Sequence, residues 1–158
     1  MEYPWPAAQL VHSWYLFFHL DPRLPEQIAE AAGETYLRWF FEHGSGPGSS
    51  PFTDADVAEY ARWFTRPGRA TAGFNLYRTA FTIDLDPWRA DHGRVLDLPT
   101  LWIHGLDDPF VPAMVLDLFP HAFTDLWVVR LAGYGYWVPE EVFDLVVGAI
   151  LEFLSDLG

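Results

Sequence analysis

Apolar residues recur at three- and four-residue spacing through the first half of the chain and run continuously in two short stretches of the second. Val11 to Leu20 is an aromatic-rich helical run that Pro22 and Pro25 interrupt. Pro25 suits the first turn of a new helix, where its missing N–H costs nothing. Ile28, Ala31, Ala32, Tyr36, Trp39 and Phe40 then predict one apolar helix face. Gly33 weakens that helix by about 1 kcal/mol relative to alanine. The Gly-, Ser- and Pro-rich stretch from Gly44 to Pro51 reads as an exposed flexible loop. Thr53 and Asp56 have the spacing of a capping box. They open a helix with Val57, Tyr60, Ala61 and Phe64 on one side, which stops near Pro67-Gly68. Ala70, Phe74, Tyr77 and Phe81 predict a further helix that Asp86-Pro87 ends.

The pattern changes near Leu98. Pro99 to His104 is a continuous apolar run closed by Gly105, and it predicts a buried strand. Pro112 to Phe119 predicts a helix, and Leu126 to Leu131 a second strand closed by Gly133-Tyr134-Gly135. Val142, Leu145, Val146, Ile150 and Phe153 mark an amphipathic helix from Pro139 to Leu154. The predicted class is α/β: a helical region over residues 1–97, then strand–helix–strand–helix over 98–158. Ligand groups of such parallel units collect at the carboxyl ends of the strands. Two strands alone leave exposed edges, so the second region reads as the last part of a larger sheet.

Composition narrows the function classes. The 158 residues carry 9 basic and 22 acidic side chains, a net charge of −13, and 51% are hydrophobic. That is too apolar for a disordered chain. The charge argues against a nucleic acid or an anionic membrane surface as partner. There is no Cys, and all the basic residues are Arg. Thiolate chemistry, Cys-ligated zinc, Schiff bases and a lysine-bearing P-loop are therefore excluded. The start, MEYPWPAAQL, lacks the layout of a signal peptide. Trp14 to Leu20 is too short to span a bilayer, so a cytoplasmic location is expected. His12, His19, His43, His92 and His121 show no metal-site spacing with acids, and neither metal nor cofactor is expected. Asp84, Asp86 and Asp91 with Arg89 and Arg94 read as a solvated connection.

Polar groups concentrate after the two predicted strands, in Gly105 to Pro112 and in Gly133 to Glu141. "PTLWIHGLDDPFVP" followed by "LAGYGYWVPEE" resembles the C-terminal end of an α/β-hydrolase, in the branch of epoxide hydrolases and of haloalkane and haloacetate dehalogenases. "SWYLFFHLDPRLPE", "FTDADVAEYARWFTRPG" and "FNLYR" resemble the helical cap of these enzymes. The resemblance implies a reaction in two steps. An Asp nucleophile forms an alkyl ester with a small apolar epoxide or halide. A His oriented by a second carboxylate then activates the water that hydrolyses the ester. It places Asp108 at the orienting carboxylate, Tyr77 with Tyr15 as cap tyrosines that polarise the epoxide oxygen, and Trp14 at a halide-binding position. Trp137 joins these as a substrate contact.

Two departures stand out. The family's catalytic His lies in Gly-His-Trp, and Tyr136 occupies that place in Gly135-Tyr136-Trp137. With a phenol pKa near 10, tyrosine is a poor general base at neutral pH. No Gly-x-Ser-x-Gly or Gly-x-Asp-x-Gly nucleophile elbow is present. Plainer roles stand beside the catalytic ones. Asp108 can cap a following helix. Tyr77, Tyr15 and Trp14 can be core, and Tyr136 can serve packing alone. His104 is either a substitute base or a buried, hydrogen-bonded histidine. Three readings follow. The chain is a truncated hydrolase lacking nucleophile and catalytic His. Or it is a non-catalytic remnant that binds a ligand or partner, with self-association through the sheet edge as one form. Or it is half of an enzyme completed by a complementary N-terminal half.

Overall fold

A computed structural model of the chain describes residues 11–118 and 120–158. The opening segment MEYPWPAAQL and Phe119, the last residue of the predicted 112–119 helix, lie outside them. The chain forms two compact units, residues 11–41 with 52–92 and residues 42–51 with 93–158.

The helices of the first unit are α1 (Trp14–Phe18), α2 (Leu24–Gly44, which runs past the unit's boundary), α3 (Asp54–Phe64), α4 (Arg69–Thr79) and α5 (Leu85–Ala90). The capping box forms: the Asp56 N–H donates to Thr53 Oγ1 at 3.2 Å, and the Thr53 N–H donates to Asp56 Oδ2 at 2.9 Å. The core is Ala29, Ala70 and Phe74, with Tyr36 and Phe64 packed against them. The single stripe expected along α2 does not hold. Ala32 leaves the helical region (φ −150°) immediately before Gly33, and this kink resets the phase. Ala29 and Gly33 are buried while Ala31 and Ala32 are exposed. A side chain at Gly33 would overlap Thr65 Cγ2, so the weak helix former also permits close packing. Asp86-Pro87 does not end the helix of Tyr77. A π-helical turn, Ala80–Asp84, follows α4, and α5 carries Pro87 in its first turn. The widened turn accommodates a residue with no N–H to give.

In the second unit β1 (Thr100–Gly105) pairs in parallel with β2 (Leu126–Leu131), in register from Thr100↔Leu126 to Gly105↔Leu131. The crossover is not the helix expected from Pro112 onward. It consists of two 3₁₀ turns, Ala113–Asp117 and Pro120–Ala122. Prolines at 112 and 120 bracket too few residues for a stable α-helix. After β2 the chain forms α6 (Val138–Glu141) and, past an extended Val142, α7 (Phe143–Asp156). Among the described residues the sheet is two-stranded, and each strand has one edge unpaired by them. α7 presents Phe143 (66% exposed), Leu151 (62%) and Leu154 (55%) to solvent. A helix apolar beyond one stripe is normally covered. Among the described residues no helix is long and apolar enough to cross a membrane.

Residues 44–51 depart most from expectation. Gly44 and Gly46 are buried, and hydrogen bonds hold Gly44 to Tyr136 in the loop after β2 and Gly46 to Glu141 at the end of α6. Residues 44–46 form a docked strap, while Pro47, Gly48 and Ser50 are exposed as expected of a loop.

Candidate active site

The parallel register brings the ends of β1 and β2 together, and the loops that follow build a cavity of about 200 Å³. Trp102, His104, Asp108, Val111, Tyr136 and Val138 are among its lining residues. Asp108 and Tyr136, assigned from sequence to the two loops, thus meet at one cavity.

Asp108 is only 9% exposed. Its Oδ1 accepts the N–H of Phe110 at 2.8 Å and of Val111 at 2.9 Å. Pro109 continues the turn without needing a partner for an N–H. Burial lifts the carboxyl above its ordinary value, against the Val111 and Phe110 N–H groups and His104, which lower it. Tyr136 is 45% exposed and packs edge-on against Phe110 and Trp137, at ring separations of 5.5 and 4.8 Å. Burial first, and the Asp108 charge second, raise its phenol above the ordinary value. The Tyr136 hydroxyl is therefore a donor at neutral pH, not a proton acceptor. His104 is 5% exposed, and its Nε2 has no hydrogen-bond partner in the structure. The expectation of a hydrogen-bonded buried histidine is met in burial and not at that nitrogen. Trp137 packs against Tyr136. A side chain at Gly44 would run into both Trp137 and Phe110.

The same geometry makes a stability prediction. A carboxyl whose folded-state pKa is raised adds stability that is full below its unfolded value near 4 and is lost as pH rises through the folded value. Asp108→Asn keeps an oxygen for the Phe110 and Val111 N–H groups and removes the buried charge. It is expected to leave the second unit at least as stable as wild type at pH 7 and to flatten this pH dependence. Asp108→Ala leaves two N–H groups without their acceptor and is expected to cost about 1–3 kcal/mol. Urea denaturation of both variants from pH 3 to pH 8 checks the contrast.

Trp14, Tyr15 and Tyr77 lie in the first unit, within an aromatic cluster. The Trp14 ring is 5.2 Å from Trp39, and Tyr15 meets Tyr77 edge-on at 5.9 Å. At the centre of the cluster is His19, a residue sequence reasoning gave no role. It is 3% exposed, its Nε2 bonds to the Tyr36 hydroxyl, and its ring is 4.4 Å from Tyr77. Burial and then the Arg78 charge hold its pKa down at about 4, so the imidazole is neutral. Burial raises the Tyr36 phenol, which keeps its proton in the hydrogen bond with Nε2. Arg78 ties the cluster to its surroundings: its Nε donates to the His19 carbonyl at 3.0 Å, and its Nη1 pairs with Glu26 at 2.8 Å.

Sequence reasoning also missed Glu141. One carboxylate oxygen accepts the Gly46 N–H at 2.8 Å and the other the Gly135 N–H at 2.9 Å. The Tyr136 N–H donates to the Gly44 carbonyl at 2.7 Å. No local pattern marks the contact, because Glu141 and Gly46 are 95 positions apart. Among the described residues no group of acids and histidines could hold a metal ion.

No family model matches the chain. It is 25% identical over 147 residues to Epoxide hydrolase 2 of Caenorhabditis elegans, covering 91% of this chain and 40% of that protein. It is 30% identical over 103 residues to Epoxide hydrolase A of Mycobacterium tuberculosis, covering 65% of this chain and 31% of that protein. Among solved structures it is similar to ALR0039, described as an alpha/beta hydrolase, from Nostoc sp PCC 7120. The TM-score is 0.83 and the identity 29%, over 96% of this chain and 52% of the other. The chain thus spans well under half the length of these curated relatives and about half of that structure.

Proposed function

We propose that the chain is the C-terminal, cap-bearing portion of an epoxide-hydrolase-like α/β-hydrolase and supplies the acid-bearing strand ends and aromatic cap of an enzyme acting on small apolar epoxides or halides. The nucleophile of that enzyme lies on a polypeptide segment outside this sequence, continuous with it or separate. The supporting observation is the convergence of Asp108 and Tyr136 on one cavity at the carboxyl end of the sheet. The unpaired β1 edge and the exposed apolar face of α7 offer a seat for the nucleophile-bearing segment, in place of self-association through the sheet edge.

The roles follow from the chemistry. A carboxylate on the absent segment attacks the epoxide carbon, and the C–O bond opens to an alkyl ester and an alkoxide. Tyr77 and Tyr15 donate hydrogen bonds to the leaving oxygen, and Trp14 and Trp137 contact the substrate. Asp108 orients the side chain at 136. Ester hydrolysis needs a base, and the raised Tyr136 phenol does not provide one at neutral pH.

The test is to purify the chain with and without a nucleophile-bearing hydrolase segment, add 1,2-epoxyhexane, and follow intact mass and diol formation. The chain alone is expected to give no turnover. The completed protein is expected to accumulate an ester adduct. Tyr136→His is expected to release it about 10²–10⁴-fold faster, the usual contribution of a general base. Steady turnover by the chain alone, or a completed protein that never forms an adduct, would defeat the proposal. Chloroacetate in place of the epoxide distinguishes a dehalogenase.

A further inference from the structure

We infer that Glu141 is the positioning residue for position 136, acting through the strap of residues 44–46 rather than by touching the side chain it positions. The inference rests on the reading of position 136 as part of the reaction site, and it deepens that reading.

One direct hydrogen bond, and two more that meet at Glu141, connect the strap to the loop after β2. Glu141 accepts from Gly46 and Gly135 with its two oxygens, and the Gly44 carbonyl accepts from Tyr136. The segments are in backbone-to-backbone contact. A Cβ on Gly135 would overlap the Gly44 carbonyl, and a Cβ on Gly46 would overlap the Gly133 carbonyl. One on Gly105, the last residue of β1, would overlap the Gly135 carbonyl. Strap, loop and strand end thus stack without intervening side chains. Glu141 hydrogen-bonds both the strap, at Gly46, and the loop, at Gly135, and it is half-buried. Gly135 directly precedes Tyr136, so the bonds that fix Gly135 and the Tyr136 N–H fix where residue 136 enters the cavity. A carboxylate suits this place because it accepts at both oxygens, whereas a glutamine turns one acceptor into a donor facing an N–H. An aspartate is one methylene too short to reach both.

The test uses the 158-residue chain as it stands. In wild type the Gly46 and Gly135 amides should be protected from hydrogen exchange. In Glu141→Gln their exchange, with that of Tyr136, should quicken roughly 10- to 100-fold, the loss expected for a hydrogen bond to a charged acceptor. Ile103 and Val129, inside the strands, should stay within a few-fold. In the same variant, carbon-13 spectra of labelled tyrosine should show Tyr136 titrating closer to the ordinary value as its ring leaves the partly desolvated place beside Asp108. A purely structural glutamate would loosen strands and strap together and leave no separate change at Tyr136. If Glu141→Gln does not fold, Glu141→Asp and the wild-type exchange pattern carry the test. Unprotected Gly46 and Gly135 amides in wild type overturn the inference. So does an unmoved Tyr136 titration in a folded variant, or equal loosening of strap and strands. These readouts need no substrate, so their outcome is separate from adduct formation.

Discussion

Replacing Gly135 by alanine is expected to destabilise the second unit by at least about 3 kcal/mol, the upper part of the range for overpacking a well-packed site. The new methyl would overlap the Gly44 carbonyl oxygen and come within 2.7 Å of the Gly46 nitrogen. Both are backbone atoms in a strap held by Glu141, so neither can swing aside as a flexible side chain can. Gly133, two residues earlier, is the control. Its φ is +87°, and no atom lies within 4 Å of where a Cβ would stand. Alanine there suffers left-handed strain alone, about 1–2 kcal/mol. Thermal unfolding of the two variants should separate them, at roughly 2–4 °C per kcal/mol for a chain of this size. Equal, small shifts would show that the strap gives way easily and that the close stacking of glycines has little mechanical meaning.

The second large effect is expected in the first unit. Arg78→Met, which keeps the bulk and removes the guanidinium, is expected to cost about 3 kcal/mol, the low end for breaking a desolvated ion pair by removing one partner. Arg78 pairs bidentately with Glu26, at 2.8 and 3.0 Å, with side chains only 19% and 20% exposed. It also donates to the carbonyls of His19 and Asp21. α1 is five residues long and has no side-chain N-cap, too short to persist without such anchoring. The Glu26 carboxyl, held below its ordinary value chiefly by Arg78, would be left without its main partner. Glu26→Gln added to Arg78→Met should recover part of the loss, because it removes that stranded charge.

The Arg78 variant also carries a pH signature. The folded-state pKa of His19 is depressed to about 4, so the folded state resists a proton that the unfolded chain takes up near 6.5. Stability from this source is present above about 6.5 and declines as pH falls toward 4. Burial is the larger cause and the Arg78 charge the second. Arg78→Met should therefore raise the His19 value and narrow the window from its acid side. Histidine proton NMR, with urea midpoints at pH 7 and pH 5, checks both.

Much of the fold was legible from residue order. The two strands appeared as continuous apolar runs, and the Thr53–Asp56 box forms as its spacing implied. The meeting of Asp108 and Tyr136 followed from parallel connectivity, which sends both post-strand loops to one end. These features depend on neighbours within a few residues, or on a topological rule, and sequence records both. Other features needed the folded chain. The kink at Ala32 rotated half of a helical stripe out of phase. The crossover became 3₁₀ because its prolines left no room for an α-helix. The Gly44–Gly46 strap looked flexible in composition, yet it is buried under a carboxylate 95 positions away. A backbone N–H is the same donor in every residue but proline, so nothing in the sequence marks which acid will meet it. Only the tertiary path, by stacking three glycine backbones without side chains between them, decides that Glu141 does.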